Sequence, residues 1–210
     1  MLQLSRLVYP IIQPIKSGLK MSGNPTQSIR IIGGKWRSRL LNFPVSEGLR
    51  PTGNRIRETL FNWLAPYIEG ARCLDVFAGS GALSFEALSR GAECCFALEN
   101  NAQAVTQLRV NQSALKADNL TLLSVDSEAF LNSSNTERPF NIIFLDPPFA
   151  SDLYGPVSQS LAQKGWLSDG ALIYTESPVL EQLKLPTNWQ LQKEKAAGEV
   201  KYCLYQHVEL

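Results

Sequence analysis

Short apolar runs alternate with amphipathic stretches along most of the chain, and this alternation predicts an α/β fold. Five apolar runs have the length of buried parallel strands, and they lie at residues 71–76, 93–98, 120–125, 140–145 and 170–175. Helical periodicity follows four of these runs, at residues 83–90, 101–115, 153–164 and 177–183. Two final runs, 189–196 and 199–206, flank Ala197-Gly198 as an antiparallel hairpin would. The sequence therefore predicts a seven-stranded, mostly parallel sheet that ends in a hairpin.

The stretch before this sheet has a different pattern. Strand-like runs at 29–32 and 36–41 are separated by Gly33-Gly34-Lys35, where glycines allow the positive φ angles of a hairpin turn. An amphipathic helix follows within residues 52–64, with Thr52 or Asn54 as its N-cap. We expect a hairpin-and-helix appendage over residues 28–66, joined to a sheet domain over 67–210.

Residues 1–27 contain no element that the pattern predicts. Their apolar stretch is interrupted by Pro10 and Pro14 and is too short to span a membrane. An acid-poor start is compatible with an organellar transit peptide, whereas the polar stretch after Met21 is typical of a flexible terminus. We expect a disordered extension, with translation starting at Met21.

Composition limits the class of protein. At 210 residues and 44% hydrophobic content, the chain can bury one sizeable core. Its four cysteines show no C-x-x-C spacing and its single histidine is His207, which argues against a zinc site or a disulfide framework. Buried, reduced thiols are typical of the cytoplasm. We therefore expect a cytoplasmic monomer without a metal or a membrane anchor.

The charge is distributed unevenly, although the net charge is only +1. Residues 1–60 contain ten Lys and Arg against two acids, a balance of +8, whereas residues 61–210 contain ten against seventeen, a balance of −7. Such a concentration is typical of a nucleic-acid footprint, and a solvated basic surface is the alternative. Cations around an aromatic ring offer RNA both phosphate contacts and stacking. The candidate RNA-binding residues are Arg30, Lys35, Trp36, Arg37, Arg39, Arg50 and Arg57.

A strand that leads into a glycine turn and a helix marks a candidate cofactor site. Asp75 ends the strand, and Gly79 and Gly81 let a ligand approach the backbone closely. The next strand ends at Glu99, about 20 residues beyond the turn, where an acid can bind a ribose diol. The candidate cofactor-binding residues of this segment are Asp75, Phe77, Gly79, Gly81 and Glu99.

Two nucleotide-like ligands are compatible with this segment. A dinucleotide turn usually reads G-x-G-x-x-G, but Ser84 occupies the position of the third glycine, and Asp75 precedes the turn. A ligand with a positively charged tail and no pyrophosphate accounts for Asp75 better than NAD does. S-adenosylmethionine is such a ligand, so it is the favoured cofactor.

Three further residues are candidates for binding the same cofactor. Asp126 follows the strand at 120–125, where it can bind an adenine amino group or, alternatively, cap a helix. Thr52 and Arg55 lie at the start of the helix predicted within residues 52–64, which is a suitable place for a carboxylate. Glu176 also follows a strand, and we interpret it as a solvated acid without a role.

The segment Asp146-Pro147-Pro148-Phe149 ends the apolar run at 140–145. Two consecutive prolines cannot continue a hydrogen-bonded ladder, so the chain must leave the sheet at Asp146. The carboxyl ends of parallel strands border the crevice in which open α/β sheets bind ligands. Asp146 and the Pro147 carbonyl then form two acceptors beside the Phe149 ring, an arrangement suited to a planar group with an NH₂. An ordinary proline turn is the alternative.

These segments, in the order Asp75 to Gly81, Glu99, Asp126 and Asp146 to Phe149, resemble the class I S-adenosylmethionine-dependent methyltransferases that modify exocyclic amines. The sequences at 30–37, 49–52 and 57–64 are similar, more narrowly, to the bacterial ribosomal RNA small subunit methyltransferase D family. The resemblance covers residues 28–206. It implies a Rossmann-like class I sheet and methyl transfer from S-adenosylmethionine to N2 of a guanine in 16S rRNA of the small ribosomal subunit.

The resemblance also implies a site. Asp146 and the Pro147 carbonyl would accept the two N–H bonds of the amine while Phe149 stacks on the base. The family commonly has Thr-Asp where this chain has Gly53-Asn54, and often an acid near Asn101. Two alternatives remain, a DNA adenine-N6 methyltransferase and a non-catalytic RNA assembly factor. The basic hairpin argues against the first alternative, and the intact Asp146-Pro147-Pro148-Phe149 segment argues against the second.

Overall fold

The computed structural model describes residues 26–45, 52–148 and 152–209. Within these ranges the elements are β1 (Thr26–Arg30), β2 (Leu40–Pro44), α1 (Asn54–Leu64), β3 (Arg72–Asp75), α2 (Ala82–Ser89), β4 (Cys94–Glu99), α3 (Ala102–Leu115), β5 (Leu120–Ser124), α4 (Ser127–Leu131), β6 (Phe140–Leu145), α5 (Tyr154–Gln163), β7 (Leu167–Pro178), β8 (Trp189–Ala197) and β9 (Val200–His207). Predicted residues Arg50 and Phe149 lie outside the described ranges.

Seven strands form one sheet in the order β5-β4-β3-β6-β7-β9-β8. The first five are parallel, whereas β9 runs antiparallel to both β7 and β8. Every residue of β3 is buried, as expected of a central parallel strand covered by helices on both faces. The predicted mostly parallel sheet with a C-terminal antiparallel hairpin is confirmed.

Two apolar clusters cover the two faces of this sheet. Side chains alternate along β6, so Ile142 and Phe144 join one cluster, while Ile143 and Leu145 join the other. The first cluster also contains apolar residues of β1, β2 and α1. The N-terminal hairpin and helix therefore share a hydrophobic core with the sheet.

The N-terminal hairpin is present, but its second strand begins later than predicted. Strands β1 and β2 pair antiparallel from Thr26–Pro44 to Arg30–Leu40. The first strand therefore begins within the extension predicted to be disordered, and the predicted start of the second strand at residue 36 was wrong. A 3₁₀ turn, Gly34–Trp36, occupies that position, and the Trp36 N–H donates to Ser89 Oγ at 2.9 Å. The connection thus packs against the end of α2 instead of extending the ladder.

Two further elements differ from the prediction. Residues 177–183, all of which the structure describes, do not form the expected helix, because β7 continues to Pro178 and pairs there with Val200 of β9. The short helix α4 was not predicted, since five residues are too few to give a clear periodicity. In the described ranges, no helix is both long enough and apolar enough to cross a membrane.

Candidate active site

The crevice between β3 and β6 brings together the two acids that were predicted from separate segments. The chain runs outward from β3 through β4 to β5, and then returns to place β6 on the other side of β3. Such a switch point leaves a crevice at the carboxyl ends of the strands. Asp75 ends β3 opposite Phe144, and Asp146 immediately follows β6.

Glu99 holds the glycine turn that follows β3. Its Oε2 accepts the Gly79 N–H at 2.8 Å, and its Oε1 accepts the Asn101 N–H at 2.7 Å. The φ angle of Gly81 is +76°, and a Cβ added there would lie 2.5 Å from a methyl group of Leu108. Glycine is therefore required at position 81 by both conformation and packing. Contact of Glu99 with a ribose stays a prediction.

Asp75 is buried at the base of the crevice, where Ser84 Oγ donates to its Oδ2 at 2.5 Å. Burial raises its pKa to about 7, although the Ser84 hydrogen bond opposes this shift. Among the described residues, Asp75 has no ion-pair partner. A positively charged group of a ligand would therefore favour the ionised carboxylate here.

This environment makes the stability of the protein depend on pH. The folded protein binds the Asp75 proton more tightly than the unfolded chain does, so the free energy of unfolding should fall as pH rises from about 4 to about 7. Because one pKa unit corresponds to about 1.36 kcal/mol, ionising the buried Asp75 lowers the free energy of unfolding above pH 7 by on the order of 4 kcal/mol. Asp75→Asn should therefore stabilise the protein at pH about 8 but have little effect near pH 4.

Urea unfolding of both proteins across this pH range checks the prediction. The matched control is Asp118→Asn, which makes the same chemical change at an exposed position. Equal stabilisation by Asp75→Asn at both ends of the pH range would contradict the proposed cost of ionisation.

Asp146 lies beside a second carboxyl group, that of Glu176. Because Leu145 pairs with Thr175 in the parallel register of β6 and β7, the next residues on the two strands are Asp146 and Glu176. Asp146 is half-buried and Glu176 is only 4% exposed. Burial raises the pKa of Asp146 well above its usual range, and the neighbouring charge of Glu176 raises it further. The interpretation of Glu176 as a solvated acid was wrong.

The hydroxyl groups of two tyrosines fix the position of Glu176. Tyr174 donates to Glu176 Oε1 at 2.8 Å. Tyr154 of α5 donates to the backbone carbonyl of Glu176, and at 3.4 Å to that of Leu145. It therefore ties the ends of β6 and β7 together. Sequence analysis missed these residues, and the only signal was an acid directly after a fully apolar run.

Thr52, a predicted cofactor contact, lies against this pair of acids, and its contact with a cofactor stays a prediction. It is 7% exposed, and its side chain lowers the pKa of both the Asp146 and the Glu176 carboxyl groups. Its backbone carbonyl accepts Arg57 Nε at 3.2 Å. The start of α1 therefore borders the crevice, as predicted, while Arg55 of the same turn is exposed.

Arg57 is not available to RNA, so its predicted contact was wrong. Its side chain is fully buried, 3.5 Å from the buried Glu86 carboxylate. Its Nη2 also donates to the Arg30 carbonyl at 2.9 Å and to Asn54 Oδ1 at 2.6 Å. Burial lowers the pKa of Arg57, and the Glu86 charge opposes this shift. The role of Arg57 is to join β1 to α1 and α2.

Glu86 is the centre of this network. It accepts the Ile32 and Gly33 N–H groups at 2.7 and 2.8 Å, and it accepts Arg90 Nε at 2.7 Å. The hairpin connection is thus bound to α2 through one buried carboxylate. Burying a charge is costly unless it is paired and hydrogen-bonded, and here it is both.

The remaining predicted residues occupy distinct environments. Asp126 accepts the Ala129 N–H at 2.9 Å, so the alternative of a helix N-cap is confirmed, while contact with an adenine stays a prediction. Phe77 is half-buried against the cluster of Leu74. Trp36 is only 9% exposed and packs edge-on against Phe85, so its predicted stacking on RNA was wrong.

The hairpin nevertheless presents a basic surface. Arg30, Lys35, Arg37 and Arg39 are all exposed. Arg30 Nη1 donates to the Ser38 carbonyl at 2.7 Å, which holds its side chain across the hairpin connection. Within the described ranges, no cluster of three or more His, Cys, Asp or Glu side chains is arranged to hold a metal ion.

Known proteins are similar to this chain in both sequence and fold. A family model described as "Conserved hypothetical protein 95" matches residues 29–206. Ribosomal RNA small subunit methyltransferase D of Escherichia coli is 51% identical over 85% of this chain and 89% of its own. That of Haemophilus influenzae is 45% identical over 88% and 96%. The solved structure of the E. coli protein yhhF has a TM-score of 0.78 and 49% identity, covering 88% of this chain and all of that one.

Proposed function

Because the chain belongs to the family of ribosomal RNA small subunit methyltransferase D, we propose that it transfers a methyl group from S-adenosylmethionine to N2 of a guanine in 16S rRNA. The observation that carries this proposal is the crevice in which Asp146 faces the Asp75–Gly81 segment across the switch point. A hydrogen-bond acceptor for an amine and a site for a cationic ligand thus line the same crevice.

The residues on the β3 side fit this cofactor. S-adenosylmethionine, when bound, supplies a methyl group on a positively charged sulfur, which reacts readily with an amine. Asp75, buried without an ion-pair partner among the described residues, would hold the amino group of the methionine tail. Glu99 would bind the ribose hydroxyls while it keeps the glycine turn in place. Asp126 and Phe77 would border the adenine, and Arg55 would lie near the carboxylate.

Asp146 and Pro147 would act on the substrate amine. The nitrogen lone pair of an aromatic amine is delocalised into the ring, so the amine is a poor nucleophile. Acceptors for its two N–H bonds turn the lone pair towards the methyl group and hold the nitrogen in line for transfer. The Asp146 carboxyl and the Pro147 carbonyl would be these acceptors, with the Phe149 ring against the base.

A transfer assay tests the proposed function directly. The protein would be incubated with S-adenosylmethionine labelled in the methyl group and with small ribosomal subunits, naked 16S rRNA or DNA. We expect label in 16S rRNA, released by nuclease digestion as N2-methylguanosine. Label only in DNA would contradict the proposal, as would label in rRNA at another atom.

The hairpin should supply contacts with rRNA phosphates. If Arg37 and Arg39 neutralise phosphates, replacing both with alanine should lower the slope of log affinity against log salt by about 1–2 units. The apparent KM for the ribosomal substrate should rise, while cofactor affinity should not change. Salt titrations of RNA binding, with and without the two substitutions, measure this slope.

The control removes the same charge elsewhere. Lys193→Ala with Lys195→Ala deletes two exposed cations from β8, the last strand in the order of the sheet. This variant should keep the wild-type slope. If the salt dependence of RNA affinity falls equally in the two double variants, the hairpin has no special role and RNA binding depends only on the net charge of the protein.

A further inference from the structure

The second carboxyl group beside Asp146 has no role in the function proposed above. Glu176 follows Thr175 on β7 as Asp146 follows its partner Leu145 on β6, so the two acids occupy neighbouring positions on adjacent parallel segments. Within residues 26–45, 52–148 and 152–209, neither carboxyl group forms an ion pair. Two neighbouring carboxylates repel each other, so ionising both of them costs free energy.

Three hydroxyl groups connect or fix these acids. The Thr52 side chain lowers the pKa of both carboxyl groups and therefore lies close to each of them. Tyr174 donates to Glu176 Oε1 at 2.8 Å, whereas Tyr154 binds the backbone carbonyl of Glu176. Tyr174 and Thr52 therefore both favour the ionised form of Glu176, whereas only Thr52 favours that of Asp146.

We propose that Asp146 and Glu176 form a carboxyl pair that holds one proton and one negative charge, and that this pair takes up the proton that the substrate amine loses on methylation. This inference rests on the proposed function for the identity of the amine. The free pair has its proton on Asp146 and its charge on Glu176, with the Thr52 hydroxyl between them.

Proton uptake by the pair then balances. The amine nitrogen forms a bond to the methyl carbon as the carbon–sulfur bond breaks, and the sulfur keeps the electron pair of that bond. The methylated nitrogen, now positively charged, gives one proton to the free oxygen of Asp146. Asp146 passes its original proton through the Thr52 hydroxyl to Glu176. The amine becomes neutral and the pair becomes doubly protonated, and one proton later returns to water.

The other charged and hydroxyl groups that face the pair come from three strands and helices. Asp75 on β3 adds a negative charge that raises the pKa of Asp146 further. The hydroxyl groups of Tyr154 on α5 and Tyr174 on β7 have pKa values raised by burial, so they stay protonated and donate. A base with a raised pKa accepts a proton at neutral pH better than an ordinary aspartate does.

Two substitutions test the pair. Glu176→Gln removes the neighbouring negative charge, so Asp146 should lose its proton at a pH lower by about one unit or more. The plateau of kcat in this variant should fall by about 10-fold, because the remaining base is weaker. Thr52→Val removes an interaction that lowers the pKa of both acids, so the acid limb of its kcat profile should move to higher pH.

The control is Glu181→Gln, which makes the same chemical change at an exposed position five residues away. It should leave the profile unchanged. An acid limb of kcat that stays at the wild-type pH in Thr52→Val would overturn the proposal, even if kcat falls. Should Glu176→Gln fail to fold, the direction of the Thr52→Val shift still decides.

A titration without substrate separates this inference from the proposed function. Carbon NMR of the free protein would follow the side-chain carboxyl signal that disappears in Asp146→Asn. We expect its midpoint to lie far above that of an ordinary aspartate and to fall in Glu176→Gln. An unchanged midpoint refutes the pair, whereas a wild-type protein that does not methylate rRNA refutes the function and leaves this titration valid.

Discussion

Replacing Asp146 with alanine is expected to reduce methyl transfer by about 100-fold or more, the scale of losing one preorganised electrostatic contact. Cofactor affinity should stay close to that of the wild type, because Asp146 ends β6 whereas the predicted cofactor residues Asp75 and Gly79 lie on and after β3. Single-turnover transfer and calorimetry of cofactor binding measure the two effects separately. Asp146→Asn keeps one acceptor oxygen and should retain a trace of activity.

A nearby exposed acid provides the control. Asp152→Ala removes a carboxyl group close in sequence but exposed to solvent, and it should transfer methyl groups at nearly the wild-type rate. Turnover of Asp146→Ala within a few-fold of the wild type would rule out a catalytic role for this acid. A parallel loss of cofactor affinity would instead place Asp146 in the cofactor site.

Arg57→Ala should destabilise the protein by about 3–5 kcal/mol, the cost of leaving a buried charge without its partner. The substitution removes the bonds to the Arg30 and Thr52 carbonyls as well as the ion pair with Glu86. Equilibrium unfolding in urea measures this loss of stability. If the free energy of unfolding falls with urea concentration as steeply as in the wild type, only stability has changed.

Arg55 offers a matched control on the same helix. It is exposed two residues before Arg57, and Arg55→Ala should change the free energy of unfolding by no more than about 0.5 kcal/mol. A loss below about 1 kcal/mol for Arg57→Ala would mean that Arg90 alone compensates the Glu86 charge.

Sequence patterns predicted what depends on local constraints. The buried strands appear as short apolar runs, and two prolines after Asp146 end β6 wherever the fold places it. The glycine turn and Glu99 were also predictable, because their spacing follows from one strand–helix–strand unit. These local signals were enough to place two acids at the same edge of the sheet.

What sequence patterns did not predict depends on pairing between distant segments. Ser177 was assigned to a helix because nothing local indicates that β9 pairs with it. For the same reason Glu176 appeared to be a solvated acid, although β9 and α5 bury it. Arg57 and Trp36 look like surface residues in a basic segment, and only the packing of the hairpin on α2 reveals that they are internal.

The Glu86 network has a consequence for how a substrate nucleotide is selected. Because one buried carboxylate joins the hairpin connection to α2, the hairpin cannot detach without breaking the two N–H bonds that Glu86 accepts from Ile32 and Gly33. The exposed arginines of the hairpin and the acid at the end of β6 are therefore held in one rigid frame. The distance between the hairpin arginines and Asp146 is therefore fixed. A nucleotide would reach Asp146 only if it lies at that same distance from the rRNA phosphates that the hairpin binds.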